Sequence, residues 1–264
     1  MRLQKYIADA GICSRREADR MTEEGRITVN GLRAQQGMKV TDRDRILIDG
    51  RPVELPEDSA PVVLAFHKPR GIVCTSGTRD RAPTIMDCIH YPVRVFPVGR
   101  LDKDSEGLIL LTSCGEIVNR INRLEYGHEK EYLVECAHPV TEAFLRKMRQ
   151  GVEIPLPLSE APGALRREAS AQEPEQKYVR VRTAPCKARR NGERSFSVIL
   201  TQGMNRQIRR MCGELGNPVR KLTRVRIMNI ELGALPPGAF RELEDRETGT
   251  LFRLLEMQEY GERG

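Results

Sequence analysis

The first hydrophobic positions of the chain follow a helical period. This stripe predicts a short helix that ends near Gly11, and its members are Leu3, Tyr6 and Ile7. Ser14 and Glu17 have the spacing of a capping box. They predict the start of a second helix, which runs to about Glu24.

Alternating apolar residues after the second helix predict short strands. These strands include Ile27 and Val29 in one case and Ile46–Ile48 in another, and Asn30-Gly31 predicts a tight turn. Residues 1–50 therefore form one predicted module. Residues 51–61 contain three prolines and three acidic residues, which is typical of an extended linker.

From residue 62 onward, strand patterns alternate with helical patterns. The predicted strands are Val62–Phe66, Gly107–Leu111, Glu131–Cys136, Phe196–Leu200 and Val225–Ile230. A helical stripe between the second and third of these strands consists of Ile117, Ile121 and Leu124. Residues 155–194 show weak periodicity and are rich in Pro, Glu, Arg and Ala, so we expect a long excursion or flexible insertion there.

One further helix has a strong apolar stripe. Asn205 is its expected N-cap, and Gly216 is expected to end it. The stripe follows the i, i+3, i+4, i+7 spacing and consists of Ile208, Met211, Cys212 and Leu215.

The composition fits one large domain or two unequal ones. The 264 residues are 39% hydrophobic, which is enough for a buried core. This composition excludes collagen-like, disulfide-scaffold and wholly disordered proteins. No apolar run approaches the ~20 residues of a membrane span. The first residues lack the apolar segment of a signal peptide, so we expect a cytoplasmic protein.

Positive charge is concentrated in one part of the sequence. The net charge is +7, and residues 201–230 contain seven basic residues against one acidic residue. By contrast, residues 231–264 contain four basic and eight acidic residues. This distribution predicts a basic surface that meets a polyanion, with nucleic acid the leading candidate and a solvated charged helix the alternative.

The seven cysteines and four histidines do not show the spacing of a metal site. There is no CxxC pair, and the histidines do not complete a zinc pattern. We therefore expect reduced thiols and no bound metal.

Candidate chemistry begins in the loop Gly99–Gly107, which leads into a predicted buried strand. Such a loop can hold a catalytic carboxylate, and Asp102 is the candidate. Asp102 and Asp104 could equally be turn formers, and metal binding by the pair is a third alternative. Tyr132, at the start of a strand, is either a core residue or a surface on which a flat base stacks.

The arginines near these positions suggest two kinds of partner. Arg209 flanks the apolar stripe of its helix and could reach inward to a carboxylate, whereas Arg206 and Arg210 lie farther round and could meet phosphates. Arg15 and Arg16 lie at the start of the second helix, where side chains and backbone N–H groups can bind one phosphate. Paired arginines are also common on ordinary surfaces.

The N-terminal residues resemble an S4 RNA-binding domain. The resemblance rests on Leu3–Gly31, including Ile12-Cys-Ser-Arg-Arg-Glu-Ala18 and Val29-Asn-Gly31. It implies a small α/β module that binds structured RNA through its pair of helices.

Three later elements resemble the pseudouridine synthases. They are Val98–Leu108, Glu131–Val134, and Asn205–Arg210 together with Lys221–Asn229. With the S4-like start, the arrangement is similar to the ribosomal small-subunit synthase A and large-subunit synthases B, E and F, and its details are most similar to the F type. The resemblance implies an α+β fold with an S4-like domain at 1–50, a linker at 51–61, a mixed, mainly antiparallel catalytic domain at 62–257 and a tail at 258–264.

The resemblance also implies roles for individual residues. Asp102 would be the catalytic aspartate, Tyr132 would stack on the flipped uracil, Arg209 would pair with Asp102, and Leu222 would help to form the pocket wall. The expected RNA-binding residues are Arg15, Arg16, Arg100, Arg206 and Arg210. The chain departs from the family pattern at His67, where the family commonly has Asn, and in the long 155–194 segment.

The implied reaction converts uridine to pseudouridine in ribosomal RNA, with 23S ribosomal RNA the expected substrate and transfer RNA an open second one. It needs no cofactor or metal, and the expected protein is a monomer. The target base must leave its stack, at a cost of roughly a few kcal/mol. The alternative function is a non-catalytic RNA-binding or ribosome-assembly factor.

Overall fold

A computed structural model describes residues 1–54, 61–74, 82–123, 127–161 and 177–257. The helices within these ranges are α1 Leu3–Asp9, α2 Arg15–Glu23, α3 Gly115–Asn122, α4 Glu142–Arg149, α5 Gln207–Glu214 and α6 Asp245–Leu254. The shorter or N-terminal strands are β1 Ile27–Val29, β2 Leu32–Arg33, β3 Ile46–Ile48, β4 Arg51–Pro52, β6 Phe96–Pro97, β14 Ile230–Glu231 and β15 Phe240–Glu242. The remaining strands are β5 Val63–Lys68, β7 Glu106–Thr112, β8 Lys130–Cys136, β9 Glu153–Pro157, β10 Tyr178–Arg182, β11 Lys187–Arg190, β12 Ser195–Leu200 and β13 Val219–Ile227. None of the described helices is long and apolar enough to cross a membrane.

The first module packs α1 and α2 on an antiparallel sheet of order β2-β1-β3-β4. The predicted N-cap is confirmed, because the Ser14 hydroxyl accepts a hydrogen bond from the Glu17 N–H at 3.1 Å. The predicted turn is also confirmed, since Asn30 and Gly31 both have positive φ, 53° and 81°. Local pattern was therefore sufficient to place these elements.

The first module continues past the boundary predicted at residue 50. Strand β4 pairs with β3, and the Val53 N–H donates to Ile46 O at 2.9 Å. Val53 is buried in the core of this module. The linker predicted over 51–61 is therefore wrong at its start, and residues 55–60 lie outside the described ranges.

The larger part of the molecule is built on one sheet of order β11-β12-β8-β13-β7-β5-β15. Its pairs are antiparallel except for β13 and β7, which run parallel through Thr223↔Glu106 and Arg224↔Gly107. The predicted α+β fold with a mixed, mainly antiparallel sheet is confirmed.

The two halves of this sheet are covered differently. Strands β5 and β7 are buried on both faces. One face of this strand pair packs against α3 and α6, and the opposite face packs against the helical turn Ile85–Cys88. Strands β8, β12 and β13 place one face against α4 and α5. The parallel β13–β7 contact joins these halves and so brings the β7 start beside β8 and α5.

Most predicted strands lie within two residues of the observed ones. The helix stripe at Ile117 and Ile121 is buried in α3, whereas Leu124 lies outside the described residues. The strand predicted at Val225–Ile230 is wrong in its limits. Strand β13 begins at Val219, and Met228, at φ 52°, turns the chain into β14.

The insertion predicted over 155–194 is wrong over most of its described residues. Strands β9 and β10 form an antiparallel ribbon, and β11 is the edge strand of the large sheet. In β10 the exposed Tyr178, Arg180 and Arg182 alternate with the less exposed Val179 and Val181. These strands are only four or five residues long, so window periodicity does not detect them. Residues 162–176 lie outside the described ranges.

Candidate active site

A cleft of about 420 Å³ lies where the loop before β7, strand β8 and the chain leading into α5 meet. Five of the residues singled out from the sequence line it: Arg100, Asp102, Tyr132, Arg206 and Leu222. Arg209 and Arg210 belong to α5 but are not among its lining residues. The structure thus brings together the central part of the predicted site.

The Asp102 loop is held from beneath by a buried lysine. Lys68 is fully buried, and its Nζ donates to Ser105 O at 2.8 Å and Pro69 O at 2.9 Å. The loop closes on itself through the Ser105 N–H to Asp102 O at 3.0 Å. Burial lowers the pKa of Lys68, and the nearby carboxylates of Asp102 and Asp104 oppose that shift. Asp102 is therefore presented by a fixed loop next to a buried cation.

The ion pair expected between Arg209 and Asp102 is not the one observed. Arg209 Nε lies 3.4 Å from Asp104 Oδ2, and its Nη2 donates to Asp104 O at 2.9 Å. Arg206 binds the same carboxylate through both oxygens, at 2.9 Å and 2.8 Å. Asp104, which the sequence left as a turn former, is thus the carboxylate shared by two arginines.

Arg206 is the arginine nearer to Asp102. Its Nη1 lies 3.9 Å from Asp102 Oδ2, within ion-pair range but longer than a hydrogen bond. The hydrogen bonds from Arg206 hold the pKa of Asp104 below its usual range. The expectation that Arg206 meets phosphate is not what the free protein shows, because both its terminal nitrogens are bound to Asp104.

The start of α5 also differs from the sequence prediction. Arg206, not Asn205, is the N-cap residue, and it has the left-handed conformation with φ 50°. Asn205 Oδ1 instead accepts from Arg210 Nη2 at 3.3 Å. The prediction of Asn205 as N-cap is therefore wrong, and sequence offered no signal that a non-glycine residue would adopt this turn.

Tyr132 and Leu222 form part of the cleft wall from neighbouring strands. Tyr132 pairs with Arg224 across β8 and β13, and Leu222 pairs with Val134. Leu222 is buried and Tyr132 is half-buried, both packed against the core beneath α4 and α5. One side of the cleft is thus apolar and aromatic, which suits a flat ring.

Arg210 does not have the arrangement expected of a phosphate contact. Its Nη1 donates to Pro155 O at 2.8 Å and its Nε to Asn205 O at 3.0 Å. These bonds fix α5 to the β9–β10 ribbon. Arg100, by contrast, is exposed where it lines the cleft.

Part of the positive charge of segment 201–230 is paired with acids from other parts of the chain. Arg226 pairs with Glu129 and Glu131, each at 3.0 Å, and Lys221 pairs with Glu106 at 2.9 Å. The segment therefore combines ion-paired cations with exposed Arg220, which forms no ion pair with a described residue. Local charge counting failed here because the compensating acids are distant in sequence.

Sequence reasoning missed two cations in the cleft, Lys130 and Arg224. Lys130 lies two residues before Tyr132 on the same strand, so both side chains share one face of β8. Burial, followed by the charge of Arg224, lowers the pKa of Lys130 to about 8. The i, i+2 spacing to Tyr132 was the available signal.

Arg15 and Arg16 lie in the first module at the start of α2. Both are exposed, and neither forms an ion pair with a residue in the described ranges. The Arg94 guanidinium donates to Cys13 O at 2.8 Å and so ties the larger domain to the turn just before them. Within the part of the chain that the structure describes, no cluster of three His, Cys, Asp or Glu side chains could hold a metal ion.

Comparison with known proteins decides the family. Residues 62–214, which contain the Asp102 loop, β8 and α5, match the RNA pseudouridylate synthase family. The chain belongs to this family. In this pseudouridylate synthase, residues 1–46 also match the S4 domain, so the resemblance seen in the sequence is confirmed for both parts.

Curated relatives cover nearly the whole pseudouridylate synthase chain. The dual-specificity RNA pseudouridine synthase RluF of Escherichia coli is 43% identical over 97% of this chain and 80% of its own length. The ribosomal large subunit pseudouridine synthase B of Bacillus subtilis is 33% identical over 95% of both. A crystal structure of a pseudouridylate synthase superposes with a TM-score of 0.62 at 27% identity, covering 95% of this chain and 99% of that one.

Proposed function

We propose that the protein isomerises a uridine of ribosomal RNA to pseudouridine, with Asp102 as the catalytic carboxylate. The observation that carries the proposal is the position of Asp102 in a cleft whose wall includes Tyr132 and Leu222. Family membership supports the same reaction.

The reaction rearranges bonds within one nucleotide. The bond between uracil N1 and ribose C1′ breaks, the base rotates, and uracil C5 forms a carbon–carbon bond to C1′ while its proton is lost and N1 gains one. No oxidant or group donor is consumed. Asp102 acts either as nucleophile or as the base that removes a ribose proton.

The surrounding residues would perform separate tasks. Tyr132 stacks on the flipped uracil, and Leu222 excludes water from its edge. Arg206 and Arg209 act through Asp104, whose paired carboxylate fixes the loop next to Asp102. Arg206 also places a positive charge 3.9 Å from the Asp102 carboxylate and helps to orient it in the cleft.

We assign RNA binding to the S4 domain and the edge of the cleft. Arg15 and Arg16 would contact phosphates at the start of α2, and exposed Arg100 would do so beside the cleft. We propose two domains, 1–54 and 61–257, acting as a cytoplasmic monomer. The name of the Bacillus subtilis relative refers to the large ribosomal subunit, which favours 23S ribosomal RNA as substrate. The E. coli relative is named dual-specificity, so transfer RNA is the second substrate to test.

Tritium release from ribosomal RNA labelled at uracil C5 tests the reaction. Wild type should release tritium, and Asp102→Asn should lower kcat by about 100- to 10,000-fold with little change in RNA affinity, because the carboxylate acts in the chemical step. Asp245→Asn, an exposed residue that does not line the cleft, is the matched control. RNA binding without release by wild type would favour a non-catalytic binding protein. Loss of folding in Asp102→Asn would make its role structural.

A further inference from the structure

Lys130 and Arg224 are two cations in the cleft that the ion pairs around Asp104 do not use. No hydrogen bond or ion pair joins Lys130 Nζ to any residue in the described ranges. Arg224 is only 3% exposed, and it donates through Nε to Leu108 O at 2.6 Å and through Nη1 to Arg100 O at 3.4 Å. Its Nη2 is buried and has no partner among the described residues.

Asp102 lines the same cleft, but neither Lys130 nor Arg224 forms an ion pair with any described residue, and leaving two such cations unpaired is energetically costly. Buried charges are normally paired, because desolvation penalises the charged form. The acids adjacent to Lys130 in sequence have other partners: Glu129 binds Arg226 and Lys187, and Glu131 binds Arg226. Burial and the charge of Arg224 both disfavour a protonated Lys130. An anion from outside the chain would relieve both effects.

The position of the pair defines the kind of anion. Lys130 and Tyr132 share one face of β8, so an anion at Lys130 lies beside the place proposed for the base. A phosphate diester offers unesterified oxygens to both an ammonium and a guanidinium group. A structural role in joining β13 to β7 accounts for Arg224 Nε but not for Nη2 or for Lys130.

We propose that Lys130 and Arg224 form a phosphate subsite that binds the RNA backbone phosphate next to the flipped uridine. This assignment rests on the proposed function for its occupant. No acid of the described residues forms an ion pair with either cation, and the single negative charge of the incoming phosphodiester would offset part of their positive charge. Part of the cost of flipping the base is then offset at the same cleft.

Nuclear magnetic resonance of protein carrying ¹³C-labelled lysine tests the subsite directly. The Lys130 signal is assigned by its disappearance in Lys130→Met, and its pKa is measured with uridine 3′-monophosphate, uridine 5′-monophosphate, inorganic phosphate or uridine. Either nucleotide phosphate should raise the pKa of Lys130 by about one unit or more, because a bound anion favours the ammonium form. Uridine alone should leave it unchanged. No shift with either nucleotide, or an equal shift with uridine, would overturn the proposal.

The inorganic phosphate arm separates a general anion site from a nucleotide site. A smaller shift with phosphate than with the nucleotides at equal concentration supports a subsite that acts together with the base pocket. A shift with phosphate that equals or exceeds both nucleotide shifts would contradict that coupling.

Turnover of the full chain on tritium-labelled ribosomal RNA gives the second test. Lys130→Met should lower kcat/KM by about 10- to 100-fold, the loss expected for one charge-assisted hydrogen bond, and Lys130→Arg should restore part of it. The matched control is Lys147→Met, at an exposed lysine of α4, which should stay within about twofold of wild type. The midpoint temperature of thermal unfolding of Lys130→Met should equal or exceed that of wild type. A fall in activity that only follows a fall in folded protein would contradict the subsite.

The two proposals can fail separately. A Lys130 shift with nucleotide phosphates in a protein that releases no tritium would retain the subsite and reject the isomerase. Tritium release together with an unshifted Lys130 would do the opposite.

Discussion

At the residue scale, the central feature is one carboxylate that binds two arginines. The Asp104 carboxylate accepts a hydrogen bond from each terminal nitrogen of Arg206, and its Oδ2 lies 3.4 Å from Arg209 Nε. The Arg209 side chain is only 12% exposed, so its charge depends on this partner. Asp104 therefore connects α5 to the loop that presents Asp102.

Replacing Asp104 with Asn should lower both stability and turnover. The free energy of unfolding should fall by about 1–3 kcal/mol, because mostly buried Arg209 loses its charged partner. In the tritium assay kcat should fall more than RNA affinity, since the Asp102 loop loses a support without losing a phosphate contact. Denaturant unfolding and tritium release measure the two effects.

The matched control for this variant is Glu142→Gln. Glu142 pairs with Arg149, but its side chain is 72% exposed, and exposed pairs contribute little. If Asp104→Asn behaves like Glu142→Gln in both assays, Asp104 is not a positioning residue.

The sequence was sufficient to predict which residues belong to the site, but not which of them form ion pairs with each other. The family resemblance implied that Asp102, Tyr132 and Leu222 share one pocket, and the structure brings all three to the cleft. Arg209 meets Asp104 and not Asp102, and the left-handed turn at Arg206 carries no sequence signature. Lys130, which has no ion pair with any residue that the structure describes, was missed because its lowered pKa comes from burial and not from its neighbours in sequence.

At the element scale, the parallel contact between β13 and β7 requires a glycine. Gly107 has φ 113°, and a Cβ there would lie 2.3 Å from Arg224 O and 2.5 Å from Arg224 N. Both contacts are with backbone, which cannot move aside without separating the strands. The tight approach therefore fixes the β7 start against the strand that carries Leu222 and Arg224.

Gly107→Ala should reduce the free energy of unfolding by at least about 2 kcal/mol, because steric overlap adds to strain at positive φ. Denaturant unfolding measures this loss. Gly213→Ala, a helical position with nothing within 4 Å of the added Cβ, should be neutral or slightly stabilising. Equal stabilities for the two variants would show that the strands separate without cost.

Element prediction succeeded where pattern is local and failed where pairing is distant. The Ser14 cap and the strands β5, β7, β8 and β12 follow from short windows. The β9–β10 ribbon could not be predicted in this way. Its prolines and arginines obscure the alternation of exposed and less exposed residues, and the two strands that pair are separated along the chain.

At the scale of the whole molecule, the distribution of unpaired positive charge differs from the distribution of basic residues along the sequence. Much of the excess at 201–230 is paired with acids of β7 and β8. Exposed cations without such partners remain at the start of α2, in Arg15 and Arg16. Long-range attraction to RNA should therefore depend strongly on the S4 domain.

Changing Arg15 and Arg16 together to Ala should weaken RNA binding and flatten its salt dependence. The slope of log K against log salt should decrease in magnitude by about 1–2, since each lost phosphate contact removes roughly 0.7–0.9. Filter binding or fluorescence anisotropy over a salt series measures the slope. Arg20→Ala is the control, because Arg20 is paired with Glu17 at 2.5 Å and should change the slope less. An unchanged slope in the double variant would remove these arginines from the interface.

The parallel pairing of β13 with β7 also sets the order of events during synthesis. The cleft takes residues from 98–105 and from 200–224, so it cannot close until the later segment has left the ribosome. At roughly 5–20 residues per second, the ribosome needs on the order of ten seconds to add the intervening chain. The hydrophobic core and the sheet of the S4 domain lie within the first 53 residues, so this domain can fold well before that time. A nascent chain would thus be able to bind RNA before it could modify a base. Recognition and catalysis are then separated in time as well as in space.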